Sequence, residues 1–436
     1  MISQLIFLVV LVAFGYILFK RVRAIKANIQ LGRPYEMGGD SSKRLEKMLL
    51  VAFGQRKMFK QVFPAFFHFL IYIGFILINI EVLEIIIDGI SGSHRTFASW
   101  VPAGIYGSVI SFFEVLAVGV IIACLIFLVR RNFTETKRFK KVEMVGWPAL
   151  DGNLILVIEI LLMAAILSMN SADQILQAKG ATHYPDSGHF LISGMMTPMF
   201  SSMSEGSLVV LERGAWWFHI VGIFAFAVYV TYSKHLHIFM AFPNTYYSRL
   251  ESPGKMQNMD VVTNEVKIML GMPDANQTPP PEGMKFGAKD INDLTWKNLM
   301  EAYACTECGR CTTQCPANQT GKKLSPRKIM MATRDRMEEV GNAKGKGLQD
   351  GKSLLGDYIS KEEINACTSC NACVEACPVN ISPLEIILEL RRFVAMEESA
   401  APQSWNAMFS NVETNFAPWK FPSSDRFKWA DQLKGQ

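Results

Sequence analysis

Eight of the chain's nine cysteines fall in two runs, "CTECGRCTTQCP" from Cys305 and "CTSCNACVEACP" from Cys367, and both read C-x2-C-x2-C-x3-C-P. Four thiolates spaced so closely are soft metal ligands, and the candidates are an iron–sulfur cube or zinc. Zinc held by four cysteines also uses C-x2-C, but two complete four-cysteine runs exceed what zinc requires. The spacing therefore predicts two [4Fe-4S] clusters, in a compartment where disulfides are rare. Cys124, the ninth, lies in an apolar run and reads as a small buried thiol.

The spacing is that of bacterial two-cluster ferredoxins, in which three cysteines of one run and the last of the other hold each cube. Carried onto this chain, Cys305, Cys308, Cys311 and Cys377 hold one cluster, and Cys367, Cys370, Cys373 and Cys315 hold the second. The 51 residues between Cys315 and Cys367 are more than small ferredoxins have, and their helical pattern predicts an all-helical core. Each run is followed by Ser-Pro and a helical pattern, in "LSPRKIMMATRDRMEEV" and "ISPLEIILELRRFVAMEES". Ser325 with Pro326 and Ser382 with Pro383 thus mark helix starts. In so small a domain, bound metal supplies much of the folding energy.

A pair of clusters needs a donor and an acceptor, and the rest of the chain reads as membrane. Half of the 436 residues are hydrophobic and 19% are charged. A bilayer-crossing helix takes about 20 apolar residues, and five runs qualify: Ile2 to Phe19, Pro64 to Ile87, Ile105 to Val129, Gly152 to Met169, and Gly214 to about Phe239. The first has no basic leader or cleavage site and is expected to stay attached. Lys plus Arg number 11 in residues 20–63 and 6 in 130–151, against 1 in 88–104 and 1 in 170–212. The positive-inside rule then puts the N-terminus outside and everything after residue 243 in the cytoplasm. The net charge of +5 is largely this asymmetry and implies no nucleic-acid partner. The stretch "LISGMMTPMFSSM" is expected along the interface, and residues 243–292, with "QTPPPEG", as an extended linker.

His68 opens the second run near its cytoplasmic border, and His219 and His237 lie 18 residues apart on the fifth. On one continuous helix that is five turns, so both face the same way, about 27 Å apart, with His235 rotated by roughly 160°. Haem b takes two imidazoles from facing helices, and no C-x-x-C-H attachment motif occurs. His68 and His237 meet across one haem b at the cytoplasmic border. The alternative is a helix–helix contact at His68 and an interfacial His237. A second haem would use His219. Across from it stand Ile78 and Asn79, which are not haem ligands, so its partner would come from His94, His183 or His189 in the outer loops. Intramembrane acids are costly, which makes Glu114 and Glu159 candidate proton or quinone groups, unless they pair with a neighbouring helix. Glu81 and Glu84 are expected at the interface, and Trp216 and Trp217 in an aromatic belt.

With five spans, one histidine early in the second and two histidines 18 apart on the fifth, the first half resembles the di-haem cytochrome b subunit of respiratory nitrate reductase. It departs in lacking a second histidine on the second span. The cysteine half resembles the iron–sulfur subunit of heterodisulfide reductase and related membrane-bound reductases. The tail "NVETNFAPWKFPSSDRFKWA" is similar to the segment that runs, in those reductases, toward a cysteine-rich catalytic module. The doubled CC pattern of that module is absent from this sequence. The resemblance implies an oxidoreductase subunit in the inner membrane of a prokaryote. It would pass electrons between quinone and a cytoplasmic partner through haem b and two [4Fe-4S] clusters. Catalysis would lie on a separate cysteine-rich iron–sulfur protein, serving a disulfide, a hydroxyacid flavoprotein or electron-transfer flavoprotein. The expected fold is all-α: a five-helix transmembrane bundle (1–242), a linker (243–292), a cytoplasmic α-helical ferredoxin domain (293–400) and a C-terminal docking tail (401–436). The competing reading is a membrane-anchored iron–sulfur or zinc scaffold, without haem, that docks a cytoplasmic complex. A transporter would show broken helices or inverted repeats, and the sequence carries neither.

Overall fold

Helices that are apolar on every side have no face for water, and the first four runs fold as helices longer than the runs themselves. The computed structural model describes residues 1–252, 254–272, 274–275, 283–345, 350–420 and 422–434, with position 432 described by its backbone alone. Its first half contains α1 (Ile2–Ile29), α2 (Ser41–Met48), α3 (Val62–Ser91), α4 (Ala103–Asn132), α5 (Trp147–Ala178), α6 (Leu191–Met196), α7 (Glu205–Val230) and α8 (His237–Tyr246). Of these α1, α3, α4, α5 and α7 are long and apolar enough to cross a membrane. Helix α5 is central, packing on α7 and α4, with α3 on α4. Helix α1 is peripheral, held toward its N-terminal end by Phe7, whose ring meets Trp216, Trp217 and Phe224 at 5.7, 6.1 and 6.2 Å. Trp216 is therefore buried core rather than a belt residue.

The fifth span starts and ends earlier than its hydropathy suggested. Helix α7 stops at Val230, and the chain passes through a turn at Lys234–Leu236 before α8 begins at His237. The sequence "TYS" causes the break. Thr231 Oγ1 donates to the Val228 carbonyl at 2.7 Å, and Ser233 Oγ accepts the His235 N–H at 3.1 Å. Such side chains compete with the helix for backbone groups. Asp151 of α5 secures the break by accepting the Tyr229 hydroxyl at 2.6 Å and the Lys234 N–H at 3.2 Å. His219 and His237 thus lie on two helices, and the five-turn register between them does not hold.

The second half contains α9 (Asp260–Met269), α10 (Trp296–Ala304), α11 (Arg310–Gln314), α12 (Pro316–Gln319), α13 (Pro326–Gly345), α14 (Lys361–Asn365), α15 (Ala372–Ala376), α16 (Pro383–Met396), α17 (Gln403–Asn415) and α18 (Lys428–Lys434). The described residues form no β-strand, so the whole is all-α. Pro326 and Pro383 open α13 and α16 where the Ser-Pro pairs predicted. The two halves share a core, because α1 continues past the membrane and places Ile25 among Leu299, Tyr303 and Met337. The stretch after residue 243 is not wholly extended: α8 runs through Pro243, and α9 follows. "QTPPPE" lies outside the described residues.

Candidate functional site

The two cysteine loops repeat one another in backbone as well as in sequence. Glu307 and Gly309 in the first, Ser369 and Asn371 in the second, occupy equivalent positions, and all have positive φ, of 52, 72, 56 and 61°. Left-handed turns of this kind aim successive N–H groups at one centre. The Ser369 and Ile381 N–H groups donate to Cys367 Sγ and Cys377 Sγ at 3.4 and 3.2 Å. Helices α11 and α15 carry the third cysteines and pack on each other, which brings the last cysteine of each run to the opposite quartet. Cys305, Cys308, Cys311 and Cys377 line one small enclosed space. Around Cys373, burial first and then the thiols of Cys367, Cys315 and Cys370 push its thiol up to about 12. Thiols so placed ionise only beside positive charge, which cluster iron supplies. Among the described residues no three or more His, Cys, Asp or Glu side chains are gathered tightly enough for a single ion. The quartets are spaced for something larger than zinc. The first is the deeper; in the second, Cys370 is exposed.

Between the first cysteine loop and the membrane helices lies a cavity of about 410 Å³. It is lined by His68 of α3, His237 of α8 and His235 from the turn before it, and at its cysteine end by Cys308, Arg310 and Pro378. All three imidazoles are fixed through Nδ1: His68 to Gln55 Oε1 at 3.1 Å, His235 to Ser233 Oγ at 3.0 Å, and His237 to the Lys234 carbonyl at 3.0 Å. Each Nε2 stays free. Anchoring the second ring nitrogen is what orients an imidazole toward metal. Burial lowers the His235 and His237 pKa, so both are held neutral, as iron ligation requires. Arg130, Arg131, Arg138 and Arg310 also line the cavity, and among the described residues none makes an ion pair within 4 Å, although Arg131 lies in the field of Asp151 and Glu307. Phe75, Phe127, Phe226 and Phe239 supply apolar walls. Free imidazoles, unpaired arginines and apolar walls fit a planar ring bearing an iron and acidic side groups.

Cavity and cysteine loop are joined by alternating charges. Asp151 lies 3.9 Å from Lys234, Lys234 3.0 Å from Glu307, and Glu307 2.6 Å from Arg334. Lys234 neighbours His235, and Glu307 neighbours Cys308, so the pair ties the imidazole turn to the first cluster loop. Arg327, wholly buried, adds a second tie through Glu143 at 2.7 Å and the Arg138 carbonyl at 2.8 Å.

The remaining predicted residues divide. Glu159 lines the cavity, where Glu307 is the only other carboxylate among the described residues. Glu114 does not reach it: its carboxylate accepts from Asn170 at 3.1 Å and caps α6 through the Ile192 and Ser193 N–H groups at 2.8 and 3.1 Å. His219 is fully buried with neither ring nitrogen hydrogen-bonded, and Asn79 is exposed, bonding its own helix at Phe75. His94 is occupied by Asp173 at 3.0 Å and Arg213 at 3.3 Å. Glu81 and Glu84 are buried rather than interfacial, in a network with Arg95, Tyr106, Asp173 and Asn170. His235 was missed because it points away from His237 on a continuous helix, and only the Thr-Tyr-Ser break could have revealed it.

Residues 304–381 match the protein family described as 4Fe-4S dicluster domain. The chain is thus a five-span membrane protein carrying an iron–sulfur domain. Its relatives are iron–sulfur oxidoreductases. The probable iron-sulfur-binding oxidoreductase FadF of Bacillus subtilis is 28% identical over 99% of this chain and 61% of its own length. The EtfAB:quinone oxidoreductase of Syntrophomonas wolfei is 24% identical over 98% of this chain and 59% of its own. One component of the dihydromethanophenazine:CoB--CoM heterodisulfide reductase of Methanosarcina barkeri is 30% identical over 32% of this chain and 35% of its own length. The chain spans about six-tenths of the length of the first two. No solved structure matches it.

Proposed function

We propose that this protein carries electrons between a membrane quinone and a partner on the iron–sulfur side, through one haem b and two [4Fe-4S] clusters. The observation that carries the reading is the cavity whose anchored imidazoles lie against the first cysteine loop. When bound, haem and cubes supply one-electron centres. His68 of α3 and His237 of α8, which line one cavity, would hold the iron, their rings fixed by Gln55 and the Lys234 carbonyl. Arg130, Arg131, Arg138 and Arg310 receive the haem carboxylates. Each cysteine quartet holds one cube, and the second, at exposed Cys370, faces the partner. Glu159 is the group that passes a proton to or from quinone.

In this reading the membrane half follows the cytochrome b plan of the nitrate reductase subunit with one haem site kept, the iron–sulfur side being cytoplasmic. The likeness to EtfAB:quinone oxidoreductase supports quinone at one end and an EtfAB-type flavoprotein at the other.

The test is redox-difference absorption with haem and iron quantified per chain. About one b haem and eight cluster irons are expected, with haem lost in His68→Ala and in His237→Ala. Two haems would bring His219 into use, and none would leave the anchored iron–sulfur scaffold.

A further inference from the structure

A second cavity, of about 800 Å³, shares Val51 with the first and lies between the connection from α2 to α3 and the helices α10, α15 and α16. Its carboxylates are matched by cations: Glu375 by Lys60, Glu385 by Arg249, Glu389 by Arg392 and Glu301 by Lys297. The wall built by the connection is different. Lys47 donates to the Arg249 carbonyl, and Lys57 to Asn380 Oδ1 at 3.0 Å, with Glu375, already held by Lys60 at 2.5 Å, 4.0 Å away. Arg56 makes no side-chain hydrogen bond or ion pair among the described residues. Burial lowers the Lys47 pKa, and the charges that reach it, Lys57, Arg44 and Lys297, are all positive. With Glu375 shared between Lys57 and Lys60, the cations of this wall outnumber the carboxylate beside them and repel one another unless a further anion joins them.

The position of this wall indicates where the anion comes from. Lys57 and Lys60 precede Val62, the first residue of the membrane-length helix α3. On the same connection Leu49, Leu50, Phe53 and Phe59 are exposed, although each is large and apolar. A cationic recess with apolar side chains at its lip, at the level where a span enters the bilayer, has the chemistry of a lipid headgroup site.

We propose that this recess binds the phosphate of an anionic phospholipid, held by Lys47, Arg56 and Lys57, with the acyl chains lying over Leu49, Leu50 and Phe53. The lipid clasps the α2–α3 connection to the wall that carries Asn371 and Glu375 of the second cysteine loop. The site involves neither haem nor quinone.

The full chain, delipidated in detergent, is titrated separately with phosphatidylglycerol, phosphatidylcholine and inorganic phosphate, and the thermal midpoint of cluster bleaching is followed. Phosphatidylglycerol is expected to raise the midpoint saturably and phosphatidylcholine to leave it unchanged. Arg56→Gln, at an exposed side chain without partners, is expected to weaken the phosphatidylglycerol response about tenfold while iron content stays at the wild-type value, and Lys47→Gln at least as much. Equal responses to the two lipids, or an unaltered response in both variants, would overturn the proposal. The full shift with inorganic phosphate alone would assign the recess to a free phosphate and overturn the lipid. Absence of clusters from the wild type would count against the electron-transfer reading instead, and lipid binding would then be read from phosphorus retained per chain.

Discussion

At the scale of single residues, the quartets make a prediction that neighbours in sequence would not. Cys377→Ser and Cys311→Ser, 66 positions apart in the chain, should deplete the same cluster, leaving about four of eight irons. Cys315→Ser and Cys367→Ser should deplete the other. Electron paramagnetic resonance of the reduced variants distinguishes these outcomes, and loss of one signal by both Cys305→Ser and Cys315→Ser would refute the crossing. His235 is the third anchored imidazole where an iron takes two, so His235→Ala should retain haem that His237→Ala loses, read from the difference spectrum. The cysteines were legible from spacing alone because the chemistry of a cube fixes it. Glu159 and Glu114 were not separable, since both are acids within apolar runs. What distinguishes them is a cavity beside one and the amide groups of α6 beside the other.

At the scale of elements, the break between α7 and α8 does what a straight helix would not. It delivers His235 and His237 to one cavity and places Lys234 against Glu307. Hydropathy ran on through "HIFMAF" and concealed it. Removing one member of a buried ion pair strands the other, at a cost of about 3–5 kcal/mol, whereas removing both costs much less. Glu307→Gln should therefore lower the thermal midpoint of cluster bleaching strongly, and Lys234→Met with Glu307→Met should recover much of it. Glu143 gives a pH dependence. Burial pushes its carboxyl up, but hydrogen bonds from Ser325 and Arg327 and the Arg327 charge hold it below its ordinary value of 4.5. A carboxyl lowered in the fold contributes stability that is present above about 4.5 and lost as pH falls below it. Hydrogen exchange of residues 137–144, corrected for its intrinsic pH dependence, should quicken in that window. In Glu143→Gln it should already be fast at pH 7, by about 1–3 kcal/mol of lost protection.

At the scale of the whole molecule, helical spans, the Ser-Pro helix starts and the all-α class were legible, because apolar length and capping chemistry are local. The joining of the halves was not. Helix α1 extends past the membrane into the iron–sulfur core, and Arg21 of α1 pairs with Glu338 of α13 at 2.6 Å. The network around Arg95 was equally hidden, because it joins Glu81 and Arg95 to Asn170 and Asp173, more than 70 positions further along the chain. The first ties the membrane helices to the iron–sulfur domain, so that the cavity meets the first quartet at Cys308 and the second quartet ends at exposed Cys370. The central claim is that electrons cross from the membrane cavity to the clusters. The most direct measurement adds a reduced quinone to the protein in liposomes and follows cluster reduction by freeze-quench electron paramagnetic resonance, in wild type and in His68→Ala. The account predicts reduction of both clusters in the wild type and at least a hundredfold slower reduction in His68→Ala, with cluster content unchanged. Equal rates in the two would contradict it.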